Sequence, residues 1–288
     1  MQPNRVPDDR GALPVRGAPL AWGARTYVMG IVNVSPDSFS GDGIGDAKVA
    51  AIHGRDQWAA GADLLDVGGE STRPGYHPVE SAVEMSRVLP VIRALRESLP
   101  HAPISIDTYK AGVARAAHAA GADLVNSVWG ASDELLDAVA ELGMPLVATH
   151  NQAGTGYGGR NVVDAVLAFL DDCATRAVLR GIARECVVLD PGIGFGKTSD
   201  QNLAVLRDLD RVVALGFPTL LGTSRKSTIG KLTGREPRER VYGSIATTAL
   251  AVKAGIDVVR VHDVAAARDA VAVADAIVRD WRPDGWTG

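Results

Sequence analysis

AAGADLVNSV, residues 119–128, joins the end of one kind of element to the start of another. An Ala-rich stretch with helical spacing stops at a glycine, which supplies the left-handed residue that closes a helix. The chain then runs straight into a short apolar, β-branched segment with the character of a buried strand. The junction recurs as AAGAD before the strand at 63, ELGMP before the strand at 145 and KAGID before the strand at 257. Working outward from these junctions gives eight short runs: YVMGIVN (27–33), DLLDVG (63–68), ISIDT (104–108), DLVNSV (123–128), PLVATH (145–150), CVVLD (186–190), PTLLGTS (218–224) and DVVRVHD (257–263). Each is followed by a longer helical stretch. Eight even strand–helix units predict a (β/α)8 TIM barrel rather than an open doubly wound sheet, because units of that number and size close on themselves.

The composition agrees with a single enzyme-sized core. The 288 residues are 46% hydrophobic with a net charge of -4, and no change of composition marks a linker, so residues 9–282 read as one α/β domain. Residues 1–8 read as disordered, residues 9–26 as a strand or hairpin that plugs the barrel bottom, and 283–288 as a tail. Cys173 and Cys186 stand outside any metal-binding spacing and suit structural thiols of a cytoplasmic protein. The scattered basic residues do not suit nucleic acid. No segment reads as a secretory signal or a bilayer span.

DPGIGFGKTSD (190–200) imitates a phosphate-binding loop without meeting its spacing. A P-loop places four residues between its first glycine and the Gly-Lys pair; Gly192 and Gly196 enclose three, and Pro191 has no N–H to offer. The alternation of Gly192, Gly194 and Gly196 does not fit a dinucleotide fingerprint either.

Polar residues gather at one end of the predicted strands. Asn33, Asp37, Glu70, Thr72, Arg73, Asp107, Asn126, His150, Asp190, Lys226, Arg260 and His262 all lie at a strand's C-terminal end or just beyond it. In a barrel those ends share one face. Helix capping is the competing account of any one of them, but not of so one-sided a set. Asp107, Asn126 and Asp190 supply acceptors suited to a flat heterocycle with N–H donors. Asn33, Arg260 and His262 suit a phosphate or diphosphate, with magnesium held by few protein oxygens; a pairing of Arg260 with Asp263 or another carboxylate is the bland alternative. SPDSFSGDG and GGESTRPGYHP read as closing loops, the first carrying Phe39.

MGIVNVSPDSFS (29–40), DVGGESTRPG (66–75), ISIDTYKAGVA (104–114), LDPGIGFGKT (189–198), GTSRKSTIG (222–230) and VRVHDV (259–264) together resemble the dihydropteroate synthases of the folate pathway, a family of pterin-binding TIM barrels. The resemblance implies condensation of 6-hydroxymethyl-7,8-dihydropterin diphosphate with p-aminobenzoate, giving 7,8-dihydropteroate and pyrophosphate. It implies a pterin site of Asp107, Asn126, Asp190, Phe195, Gly222 and Lys226, and a diphosphate site of Asn33, Arg260 and His262 with Mg2+ on Asn33. The p-aminobenzoate end, where sulfonamides compete, would be Phe39, Thr72, Arg73, Pro74 and Ser227. Asn33, Asp37, Lys226, Arg260 and His262 would carry the reaction, with Asp37 and the first two loops closing the site. A homodimer through outer helices is also implied.

The chain departs from the family pattern at Ser127, where an Asp is usual, and in THNQAGTGYGG after the fifth strand, where Thr149 and Asn151 replace apolar residues. Two other readings remain: a methyltetrahydrofolate-binding methyltransferase, which would not need the diphosphate cluster, and a non-catalytic pterin-binding paralogue.

Overall fold

Each apolar run becomes a strand of one parallel sheet. The computed structural model describes residues 10–34, 46–71 and 78–287. A short antiparallel pair, β1 (Ala12–Leu13) and β2 (Leu20–Ala21), precedes the barrel. The barrel strands follow as β3 (Tyr27–Asn33), β4 (Leu64–Gly68), β5 (Ile104–Asp107), β6 (Leu124–Ser127), β7 (Leu146–Thr149), β8 (Val187–Asp190), β9 (Leu220–Leu221) and β10 (Val258–Val261). Their order is β8-β7-β6-β5-β4-β3-β10-β9. The isolated parallel bridge between Leu189 and Thr219 brings β8 to β9 and closes the ring. The predicted (β/α)8 barrel is the observed fold.

Strand alternation divides the core into two shells. Val28, Val32, Leu65, Val67, Ile104 and Ile106 face outward into the helix layer. Met29, Leu64, Leu124, Val147, Val188 and Val258 point inward near the strand starts, where Leu13, Leu20 and Trp22 of the hairpin segment cover them. The hairpin therefore stoppers the bottom of the barrel, as the sequence predicts. Burying those three side chains there is worth on the order of 1.5–3 kcal/mol each.

The recurrent Gly-x-Asp junction has a second purpose beyond helix closure. Gly121 and Gly255 end their helices with φ of 113° and 96°. Two residues later, Asp123 accepts the Ile104 backbone N–H at 2.8 Å and Asp257 accepts that of Thr219 at 2.9 Å. Asp63, after Gly61, accepts the Val28 N–H at 2.8 Å. Each carboxylate is neutralised by an arginine: Arg96 at 2.6 Å, Arg10 at 2.7 Å and Arg25 at 2.5 Å, respectively. Each carboxylate thus satisfies a backbone donor near the start of a neighbouring strand, which leaves the polar chemistry of the strand ends for the opposite rim.

Candidate active site

The inward phase that fills the bottom with apolar groups places polar ones above it. Asp66 and Ser105 form the middle level, paired in register across β4 and β5. Asp107 and Asn126 follow above, paired across β5 and β6. Asp190, Gly222, Arg260 and His262 continue the same phase on β8 and at or after the ends of β9 and β10.

Arg260 organises one half of the site. Its Nε donates to Asp66 Oδ2 at 2.6 Å and its Nη2 to Asp107 Oδ2 at 2.8 Å. Asn126 Nδ2 donates to the same Asp66 oxygen at 2.9 Å. Burial pushes the Asp107 carboxyl up to about 7, against the downward pull of Arg260. Burial also works against the Arg260 charge, but Asp66 and Asp107 more than offset it and its pKa rises. Among the described residues, Asp66 Oδ1, Ser105 Oγ and Asn126 Oδ1 are buried without a hydrogen-bond partner. Polar atoms of this kind are costly to leave unsatisfied and mark where a polar ligand belongs.

The other half is built by the glycine run. Asp190 turns one carboxylate oxygen back to accept the Gly192 N–H at 2.8 Å. Gly192 has φ 68°, and a Cβ there would lie 1.9 Å from the His150 carbonyl oxygen, so only glycine fits between the two loops. Lys197, which the P-loop comparison singles out, faces away from any phosphate role. Its buried ammonium reaches His150 Nδ1 at 2.8 Å, Gly192 O at 2.9 Å and Phe195 O at 3.1 Å. Three acceptors use all three of its donors. Burial lowers Lys197 to about 7, and burial together with the Lys197 charge lowers His150 to about 3; His150 is neutral and accepts through Nδ1.

Lys226 completes this half. It donates to the Ile193 carbonyl and sits 4.3 Å from the Phe195 ring centroid. Burial lowers it to about 8, against the attraction of Asp190, whose own carboxyl is raised by burial and held back by Lys226. The preceding residue, Arg225, has φ 58° and is fixed by Asp263, which accepts at 3.0 and 2.5 Å, and by Ser244 Oγ, which accepts its N–H at 3.0 Å. Asn202 ties the two loops together, accepting the Gly194 N–H at 2.8 Å and donating to Thr228 Oγ1 at 3.2 Å.

The structure thus gathers Asp107, Asn126, Asp190, Phe195, Gly222, Lys226 and Arg260 in one mouth. His262 Nδ1 lies 3.0 Å from Ser224 Oγ, Asn33 is half-buried at the end of β3, and Ser227 is exposed at the start of the helix Ser227–Thr233. Arg260 leans onto two carboxylates, Asp66 and Asp107, the kind of pairing that the sequence leaves open, whereas Asp263 pairs with Arg225. Two rim candidates are scaffold. Glu70 accepts from Tyr109 at 2.8 Å and pairs with Lys110, while His150 packs between Tyr157 and Phe169. Asp37, Phe39, Thr72, Arg73 and Pro74 lie outside the described residues.

Sequence reasoning missed Asp66, although its position two residues from both Leu64 and Gly68 puts it on the inward face. A profile of the pterin-binding enzymes matches residues 29–262, spanning every strand that supplies the site. The chain belongs to the dihydropteroate synthase family of pterin-binding enzymes. A dihydropteroate synthase of Clostridium beijerinckii is 46% identical over 261 residues, covering 89% of this chain and 96% of its own. The Clostridium difficile dihydropteroate synthase, solved in the presence of pteroic acid, superposes with a TM-score of 0.84 at 46% identity, covering 90% of this chain and 98% of that one. The Xanthomonas albilineans dihydropteroate synthase in complex with 7,8-dihydropteroate gives 0.82 at 43% identity, with 94% and 100% covered.

One family departure can be placed. Ser127 sits on the outward phase of β6 with its buried Oγ unpartnered among the described residues, so it does not enter the mouth.

Proposed function

We propose that the chain is a dihydropteroate synthase that joins p-aminobenzoate to 6-hydroxymethyl-7,8-dihydropterin diphosphate. The observation that carries this reading is the set of unpaired buried polar atoms beneath the rim, Asn126 Oδ1 foremost, beside Asp107 and Asp190. A pterin ring offers the N–H donors that such acceptors lack.

In this reading Asp107, Asn126 and Asp190 grip the ring, with Lys226, Phe195 and Gly222 along its side. Asn33, Arg260 and His262 take the diphosphate, and Ser227 with Phe39, Thr72, Arg73 and Pro74 takes p-aminobenzoate. The methylene C–O bond breaks and its electron pair leaves with pyrophosphate. The aniline nitrogen then bonds to the methylene carbon and gives up a proton. Carboxylates around the ring stabilise positive charge at the methylene, while Arg260 and His262 stabilise the departing anion. This ionising path asks for no nucleophilic side chain.

Among the described residues no cluster of three or more His, Cys, Asp or Glu could hold a metal. A magnesium ion carried mainly by phosphate and water oxygens, with one contact from Asn33, fits that donor set. When bound, it would neutralise charge on the diphosphate.

The substrates in this reading are small molecules; no helix among the described residues is long and apolar enough to cross a bilayer, and a cytoplasmic location suits two free thiols. A homodimer is supported by Leu250, Val273 and Ile277, which stand 62%, 63% and 79% exposed on the adjacent helices Val241–Ala254 and Val264–Val278. Sedimentation of an Ile277→Asp variant tests that face. Turnover of the pterin diphosphate and p-aminobenzoate, with and without Mg2+ and a competing sulfonamide, tests the reaction. Pterin binding without pyrophosphate release would favour the non-catalytic paralogue.

A further inference from the structure

We infer that Asp66 is a positioning residue that sets the hydrogen-bond code of the pterin site by locking Asn126 with its carbonyl toward the ligand. This deepens the proposed function and rests on it.

Asp66 is fully buried, and one of its oxygens takes both Arg260 Nε at 2.6 Å and Asn126 Nδ2 at 2.9 Å. A carboxylate oxygen that receives a guanidinium N–H can only accept. The Asn126 atom facing it is therefore the amide nitrogen, and the amide oxygen must face the other way. That oxygen is buried and unpartnered among the described residues.

An asparagine free to turn could offer either end of its amide and would accept a ligand donor or a ligand acceptor. Pinned by Asp66, it offers an acceptor alone. The same Asp66 oxygen holds Arg260 against Asp107, so one carboxylate orients two ligand-facing groups from opposite sides of the sheet order. The chemistry recognised is a heterocycle edge that presents N–H, and an isostere with a bare ring nitrogen at that edge is rejected because two lone pairs would oppose each other.

The test compares the wild type, Asp66→Ala, Asn126→Ala and the pair Asp66→Ala with Asn126→Asp. Pteroic acid affinity is measured by calorimetry and the KM for p-aminobenzoate by turnover. In Asp66→Ala the amide at position 126 loses its fixed direction, and pteroic acid binding falls roughly tenfold or more. The pair keeps the net charge, and the carboxylate now at position 126 accepts at either end, so it presents an acceptor to the ligand without needing the lock. It recovers most of the loss. The KM for p-aminobenzoate stays at the wild-type value throughout, which a general loosening of the barrel would not allow. Should Asp66→Ala fail to fold, the pair is compared with Asn126→Ala and is expected to bind pteroic acid more tightly. An Asp66→Ala variant with wild-type affinity, or a pair no better than its reference variant, overturns the positioning role. Absence of turnover and pteroic acid binding in the wild type overturns the proposed function itself, and the role with it.

Discussion

Arg260 donates to Asp107 at 2.8 Å although their strands, β10 and β5, are separated by β3 and β4 in the sheet. The pair spans the mouth and makes the site sensitive to pH near neutrality. Asp107 is an obligate acceptor only above about 7, and Lys226 carries its charge only below about 8. The kcat/KM for the pterin diphosphate should therefore rise through the first value and fall through the second. Lys226→Arg should extend activity to higher pH, since a guanidinium keeps its charge there. Because Asp107 titrates higher in the folded chain than its ordinary value near 4, its contribution to stability is complete below about 4 and lost as pH rises through about 7. Thermal unfolding of Asp107→Asn should lack that slope. A pH–rate profile flat across this range would exclude both assignments.

Lys197 staples the glycine run to β7, so Lys197→Met should leave two carbonyls and an imidazole nitrogen without a donor. The expected loss is ~2–4 kcal/mol by urea unfolding. Lys197 is depressed to about 7 in the folded chain, which sheds a proton that the unfolded chain keeps up to its ordinary value of 10.5. Wild-type stability should thus gain on the variant as pH climbs between those values and lose ground as it falls back. Equal stability at every pH would remove the staple.

Gly192 and Gly154 share a left-handed backbone, with φ of 68° and 74°, but only Gly192 is hemmed in. Gly154→Ala should cost about 1 kcal/mol, the strain of the conformation. Gly192→Ala should cost more than ~3 kcal/mol, because its methyl group would overlap the His150 carbonyl, and pteroic acid binding should be lost. Parallel denaturation curves of the two variants measure the difference; similar costs would mean the loop can move aside.

Ser127→Ala removes a buried hydroxyl that has no partner among the described residues and leaves a methyl group. Stability should stay within ~1 kcal/mol of wild type, with a gain as readily as a loss, and turnover should not change. A drop in pterin affinity would reveal a connection to the mouth that the outward phase of β6 does not provide.

The barrel was legible because its evidence is local: a glycine closes a helix, an apolar run follows, and the pattern repeats. The described part of the rim was legible for the same reason, since strand ends are known once strands are. Asp66 was hidden by its neighbours. DLLDVG reads as an apolar strand, and which alternate residues face inward is decided only when the sheet closes. Arg225 and Asp263 are separated by 38 positions, and nothing local to either signals the pair. Lys197 ends a run whose spacing excludes a phosphate loop, but its partners, two carbonyls and an imidazole, are supplied only by the folded loops. Even β9 is shorter than the PTLLGTS run, because beyond Leu221 the chain leaves the sheet for the turn that carries Lys226.

A ring is as durable as its least-stitched joint. Here β8 and β9 meet through the isolated Leu189–Thr219 bridge, and Asp190 and Lys226 stand on opposite sides of that gap. Amide exchange should begin along this suture, and a ligand gripping both residues would act as a clasp, slowing hydrogen–deuterium exchange there more than on the far side of the barrel.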